Sequence, residues 1–226
     1  MIKETRLAKI QVVDEREPWA VQHGQVVVRW AMLLTEAGRE VSRLEDYATM
    51  LTPDTDHANW APSDAVFTDI GFIPPTAAMK ERVVQTCLAD HTPLVKARWQ
   101  VNSTREMVHK AATQNLPVEL VEVELEAAKR TLALLEGPLD MSLHQETRFN
   151  LAEILPSGAV QVRLRKCICE NGEVITPPQY HRFVLEPGRN HAATFAAVNN
   201  HLAKMDTSLP PINRVDGERI LRLCIR

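Results

Sequence analysis

Cys167 and Cys169 stand two residues apart in an apolar, β-branched stretch, with His181 a short way downstream. Side chains alternate along a strand, so both thiols would face the same way, and thiolate with imidazole is a donor set that zinc takes. A tetrahedral site needs four ligands, and neither a second Cys pair nor a His-x3-His spacing follows. The expected state of these thiols is buried and inert. His57 and His191, each followed by alanine, raise the same question. A side chain that caps the turn or helix after it accounts for both with less. Asp54, Asp56, Asp64 and Asp69 crowd a loop-like stretch but lack the spacing and terminal glutamate of a calcium-binding loop.

No Gly-x-Ser-x-Gly, phosphate-binding loop, His-Glu-x-x-His or dinucleotide fingerprint occurs. The sequence therefore names no nucleophile, base or cofactor cradle. The expectation is a protein that is not an enzyme and holds no cofactor, with no catalytic, cofactor-binding or metal-ligating residue assigned. The residues singled out are candidate contact residues: Trp19 and Trp60, which lie in loop sequence, and Ile220, Leu221 and Leu223 in a C-terminal segment that reads as a strand.

The elements that would position these residues fall into a repeated frame. Gly158-Ala159-Val160-Gln161-Val162-Arg163 leads through Cys167-Ile168-Cys169 and an Asn171-Gly172 turn to Tyr180 and Leu185-Glu186-Pro187. Gly24-Gln25-Val26-Val27-Val28-Arg29 leads through Ala37-Gly38 to Tyr47 and Leu51-Thr52-Pro53. Glu4-Thr5-Arg6 and Glu146-Thr147-Arg148 precede the two copies. With Tyr47 matched to Tyr180, the first copy carries one extra residue before its tyrosine and one fewer after it, a register change a bulge would absorb. The first copy also has the longer connection ahead of its glycine, and Trp19 sits in it.

Between the copies the spacing predicts helices. Thr76 caps Ala77 to Asp90, Pro93 opens a second helix reaching Ala112, and a third follows Asn115 and Pro117 and stops at Gly137-Pro138. In the third, Val121, Leu125, Ala128, Leu132 and Leu135 make one apolar seam, with glutamates early and Lys129 and Arg130 later. Phe195, Val198, Leu202 and Met205 predict a helix after the second copy, and Arg219 to Arg226 reads as a strand-like tail that pairs with a sheet edge. The fold class is α+β: two similar small antiparallel β units, a tandem duplication, joined by a helical middle. The expected divisions are 1–70 for the first β unit, 71–142 for the helical connector, and 143–226 for the second unit with its terminal helix and tail.

Composition narrows the partners. A chain of 226 residues that is 45% hydrophobic and 24% charged can form a real core. A net charge of -3 supplies no basic field, so nucleic acid is not the expected main partner. Four cysteines at odd spacings suit a reducing compartment. Neither an apolar leader nor a membrane-spanning run is expected.

The order Val-x-Val-Arg from Val160, then Glu170-Asn171-Gly172-Glu173-Val174-Ile175, then Tyr180-His181-Arg182-Phe183-Val184-Leu185-Glu186-Pro187-Gly188 resembles a small β module of tailed bacteriophages, found beside tail and fibre components. The resemblance covers Val160 to Asn190. The stretch Val26 to Asp56 departs from it, with Tyr47-Ala48-Thr49 in place of Tyr-His-Arg and Asp54 in place of the glycine. It implies a structural subunit of a phage particle (tail, baseplate, fibre attachment or neck), made in the host cytoplasm and resident in the virion. Its implied partners are other virion proteins and copies of itself. An assembly chaperone for a tail or fibre protein is the alternative, and an enzyme is the third reading.

Overall fold

The structure is a computed structural model that describes residues 1–14, 23–56, 60, 64–137, 142–170, 173–177, 179–186, 193, 196, 199–200, 203–204 and 211–224. It is a mixed helix and sheet protein built on an antiparallel half-barrel. β1 (Ile2–Val13), β2 (Val26–Glu36) and β3 (Arg39–Leu51) form one meander. β4 (His144–Ile154), β5 (Val160–Glu170) and β7 (Gln179–Leu185) form another, with the two-residue β6 (Glu173–Val174) also paired to β5. β1 and β4 pair antiparallel from Ile10↔Ile154 to Val13↔Leu151, so both meanders belong to one sheet.

The registers of the meanders correspond near their shared seam, although β3 is one continuous strand where the second meander has the separate β6 and β7. Thr5 and Thr147 point inward and are buried, while the flanking Glu4 and Arg6, and Glu146 and Arg148, pair outside them. The β1–β2 ladder is interrupted between Leu7 and Lys9, and the β4–β5 ladder between Phe149 and Leu151. Val13 N–H donates to Gln25 O and Leu155 N–H to Ala159 O, each at 2.9 Å. Gly24 and Gly158 both take positive φ, 71° and 89°, where the chain turns into its next strand. In β2 and β3 Trp30 faces Tyr47, and in β5 and β7 Leu164 faces His181. Tyr47 thus stands at the place of His181 and not of Tyr180, and the β2–β3 ladder shifts register between Met32 and Leu33 and again between Leu34 and Thr35, in the stretch ahead of the tyrosine.

Among the described residues, α1 (Asp64–Asp69), α2 (Ala77–Asp90), α3 (Pro93–Thr113) and α4 (Glu119–Glu136) lie between β3 and β4, and α5 (Arg214–Cys224) comes after β7. α2 has the expected bounds because Thr76 accepts a hydrogen bond from Met79 N–H and Pro93 opens the next helix. It lays Val83 and Cys87 on the sheet core beside Ile10, Val12, Val28, Ile154 and Val162. The short α1 lies within the stretch expected to be irregular. Its Phe67 is buried and meets Trp30 edge-on at 5.4 Å and Tyr47 at 5.6 Å.

Two local expectations change. Asn115 does not cap α4. It takes a left-handed conformation, φ 52°, that closes α3, and α4 begins at Glu119 with no side-chain cap. The C-terminal segment is helix, not strand: Asn213 Oδ1 accepts from Asp216 N–H at 2.9 Å, and Ile220, Leu223 and Cys224 pack into the core. Ala193, Ala196, Asn199, Asn200, Ala203 and Lys204 are helical, as expected after the second unit. Phe195, Val198, Leu202 and Met205, which set that expectation, lie outside the described residues.

Candidate interaction surface

α3 and α4 fold back on each other as an antiparallel hairpin. Their seam buries Val101, Leu125 and Ala128, with Val108 and Leu132 half-buried beside them. Arg98 Nε donates to Glu136 Oε1 at 2.6 Å and ties the start of α3 to the end of α4. Val121 is half-buried and Leu135 is 45% exposed, so the apolar seam loosens at both ends. α3 is the element α4 packs on.

The outer face of α4 is also apolar. Leu120, Val123 and Leu134 are 82%, 68% and 86% exposed, and the exposed Ala127 lies between them. These positions share one helix face. Glu119, Glu122, Glu124 and Glu126 surround its N-terminal half, and Lys129 and Arg130 follow. Sequence reasoning followed the seam through Val121, Leu125 and Leu132 and passed over this second stripe. The available signal was a helix apolar on two opposite sides, which a helix with one neighbour does not need.

The candidate contact residues named from sequence lie elsewhere. Ile220, Leu221 and Leu223 are 0%, 5% and 1% exposed on α5 and form part of the chain's own core, so they are not available to a partner. Trp60 is half-buried and packs against the same core. Trp19, His57 and His191 lie outside the described residues.

The buried charges were not anticipated. Arg219 is held from two sides: Nε and Nη2 donate to Asp90, the latter at 2.8 Å, and Nη1 lies 2.8 Å from Asp14 Oδ1. His23 Nδ1 lies 2.8 Å from the same Asp14 oxygen, and the Phe149 ring sits 4.8 Å from the guanidinium. Burial by itself would lower the pKa of Arg219, but Asp14 and Asp90 together raise it above its ordinary value. Asp14 and His23 border the longer connection of the first unit, and Arg219 and Asp90 sit on α5 and α2. The cluster bolts both helices to β1, and its closure to solvent suits a structural role over a reactive one.

Cys167 and Cys169 are buried, as expected, and so are Cys87 and Cys224, with none of the four in a disulfide. Cys169 Sγ donates to Glu146 Oε1 at 2.9 Å, and burial, then that bond, pushes its thiol up to about 12. His144, Glu146 and Cys169 come together within 4.8 Å. Arg148 already pairs with the Glu146 oxygen that accepts from Cys169, so a cation there would meet a guanidinium and a protonated thiol. His181 stands opposite Leu164, not among these three. Among the described residues no helix is long and apolar enough to cross a membrane.

No family model, curated protein or solved structure matches the chain.

Proposed function

We propose that the protein works by contact, as a structural subunit of a bacteriophage particle in its tail, baseplate, fibre attachment or neck, with other virion proteins and copies of itself as partners. The observation that carries this reading is the outer stripe of α4, where Leu120, Val123 and Leu134 stand in solvent on a helix whose main neighbour among the described residues is α3. A second copy of α4 laid antiparallel suits the stripe. Leu120 of each helix then approaches Leu134 of the other, and Arg130, which flanks the stripe, meets the glutamate-rich N-terminal half of its partner.

The particle setting rests on the resemblance of Val160 to Asn190 to phage tail and fibre modules. The same reading takes the two β units as a tandem duplication. The paired Glu-Thr-Arg segments, the interruptions beside Leu7 and Phe149, and the equivalent turn hydrogen bonds of Val13 and Leu155 support that descent.

The test is a mass-spectrometric inventory of density-banded particles and of the lysate they came from. A fixed copy number in the particles is the expected result. Detection in lysate alone would replace the subunit with an assembly chaperone, and saturable turnover by the purified chain would replace both with an enzyme.

A further inference from the structure

Where the two β units meet, the sheet face turned away from α2 and α5 holds a polar depression of about 420 Å³. Its polar lining is Gln11, Arg29, Glu153, Gln161, Arg163 and Arg182. Lys9 reaches in from the side, with Nζ 3.0 Å from Glu153 Oε1, and Gln11 donates to the same oxygen at 2.6 Å. The one carboxylate is therefore engaged by a lysine and an amide, with the Arg182 charge also acting on it from farther off. Arg163 is fixed in place: its Nε donates to Asn150 Oδ1 at 2.5 Å, and its guanidinium lies 4.9 Å from the centre of the Tyr180 ring. That leaves its two amino groups to donate elsewhere. Arg29 has one long hydrogen bond, 3.4 Å to Gln11 Oε1. Among the described residues, no carboxylate lies within ion-pair distance of Arg29, Arg163 or Arg182.

The placement of these charges is unfavourable for the isolated chain. Arg163 and Arg182 stand directly opposite each other in the β5–β7 ladder, a position where like charges repel. Arg29 occupies on β2 the place that Arg163 occupies on β5, so the guanidiniums border the seam from both units. An anion seated between them would remove the repulsion and accept their free N–H groups.

We propose that this depression binds a carboxylate-rich segment of a partner protein. The three arginines against Glu153 give the lining of the depression a charge of +2, with Lys9 beside it on Glu153, while the whole chain carries -3, so the rest of the chain carries -5. A long phosphate backbone would be repelled wherever it left the depression. A short acidic segment, lying across strands 4–5 Å apart and offering bidentate carboxylates to guanidiniums, would not. This site is separate from the α4 stripe, so the two readings fail separately.

The test is fluorescence anisotropy on the full chain with a short labelled peptide of alternating Glu and Ser, its Gln and Ser counterpart, a labelled oligothymidylate and inorganic phosphate. The Glu peptide is expected to saturate the protein and the Gln peptide to bind at least about tenfold more weakly. Arg163→Gln and Arg182→Gln should each weaken Glu-peptide binding, Glu153→Gln should tighten it, and Lys96→Gln, on exposed α3 surface, should leave it unchanged. Because Arg182 is exposed and Arg182→Gln removes a repulsion, that variant tests the site without endangering the fold. The proposal is overturned if the Glu peptide fails to saturate, if its binding ignores both arginine variants, or if oligothymidylate or phosphate binds more tightly than the peptide.

Discussion

Gln11 Nε2 donates to Glu153 Oε1 across 2.6 Å, and the two residues face each other in the β1–β4 ladder. On the proposed duplication they are also each other's counterparts: the separation of 142 that carries Glu4-Thr5-Arg6 onto Glu146-Thr147-Arg148 carries Gln11 onto Glu153. On that proposal the seam is a local two-fold, and a residue on its axis meets its own equivalent. An amide opposite a carboxylate makes a hydrogen bond there, whereas two carboxylates would repel. Gln11→Ala, which removes the donor and leaves Glu153 without its amide partner, is expected to cost roughly 1 kcal/mol. Urea unfolding at neutral pH checks this, and an unchanged midpoint would contradict the contact.

The ionic cluster gives a sharper expectation. Arg219→Gln leaves Asp14 and Asp90 buried without the guanidinium that joins them, which should cost about 3–5 kcal/mol in urea unfolding. Arg222→Gln, on the same helix but half-buried and donating to the backbone Ala89 O, should cost about 1 kcal/mol. Equal losses for the two variants would show that the cluster contributes nothing particular.

In the hairpin, Leu132 is packed against the seam yet only half-buried. Leu132→Asp should therefore cost about 2–3 kcal/mol, less than full burial of a charge would, and Leu125→Asp, at a buried position, should cost more. A Leu132→Asp variant with unchanged thermal unfolding would refute the seam.

The buried thiols predict alkaline sensitivity. Burial, with the Asp90 charge adding to it, pushes Cys87 up to about 12, and burial pushes Cys224 up to about 11, from an ordinary value of 9.0. A thiol whose folded pKa is raised contributes stability that is whole below the unfolded pKa and lost as pH rises through it, so the loss begins near 9.0 and continues toward 12. For Cys87 it should reach about 1 kcal/mol at about pH 10. Urea midpoints at about pH 8 and about pH 10 should fall further for the native chain than for Cys87→Ala. Parallel falls would mean that this thiol does not govern the slope.

Thr76, Pro93 and Gly137 marked helix ends legibly because each acts on its own neighbours. Asn115 was visible as a punctuating residue, but one asparagine can cap the next helix or close the last, and only the backbone decides. α5 was misread because Arg219 to Cys224 alternates like a strand while its helical period runs through Asp216 and Arg219, two charged residues on a buried face. Their partners, Phe149 N–H and Asp90, lie 67 and 129 positions away, beyond any local window. The same distance hid the sheet-face depression, whose lining comes from five strands. The α4 stripe was legible in principle, since Leu120, Val123 and Leu134 fall outside the inward seam that the spacing already defined.

Association of copies through α4 is tested most directly by sedimentation velocity of the purified chain over about 1–100 µM, beside a Leu120→Glu, Leu134→Glu variant. Both side chains are exposed, so the variant should fold and unfold as the native chain does. The account predicts that the native chain shifts to a dimer or larger species as concentration rises and that the variant stays monomeric throughout. A native chain that remains monomeric across the range, or a variant that associates equally well, would contradict it.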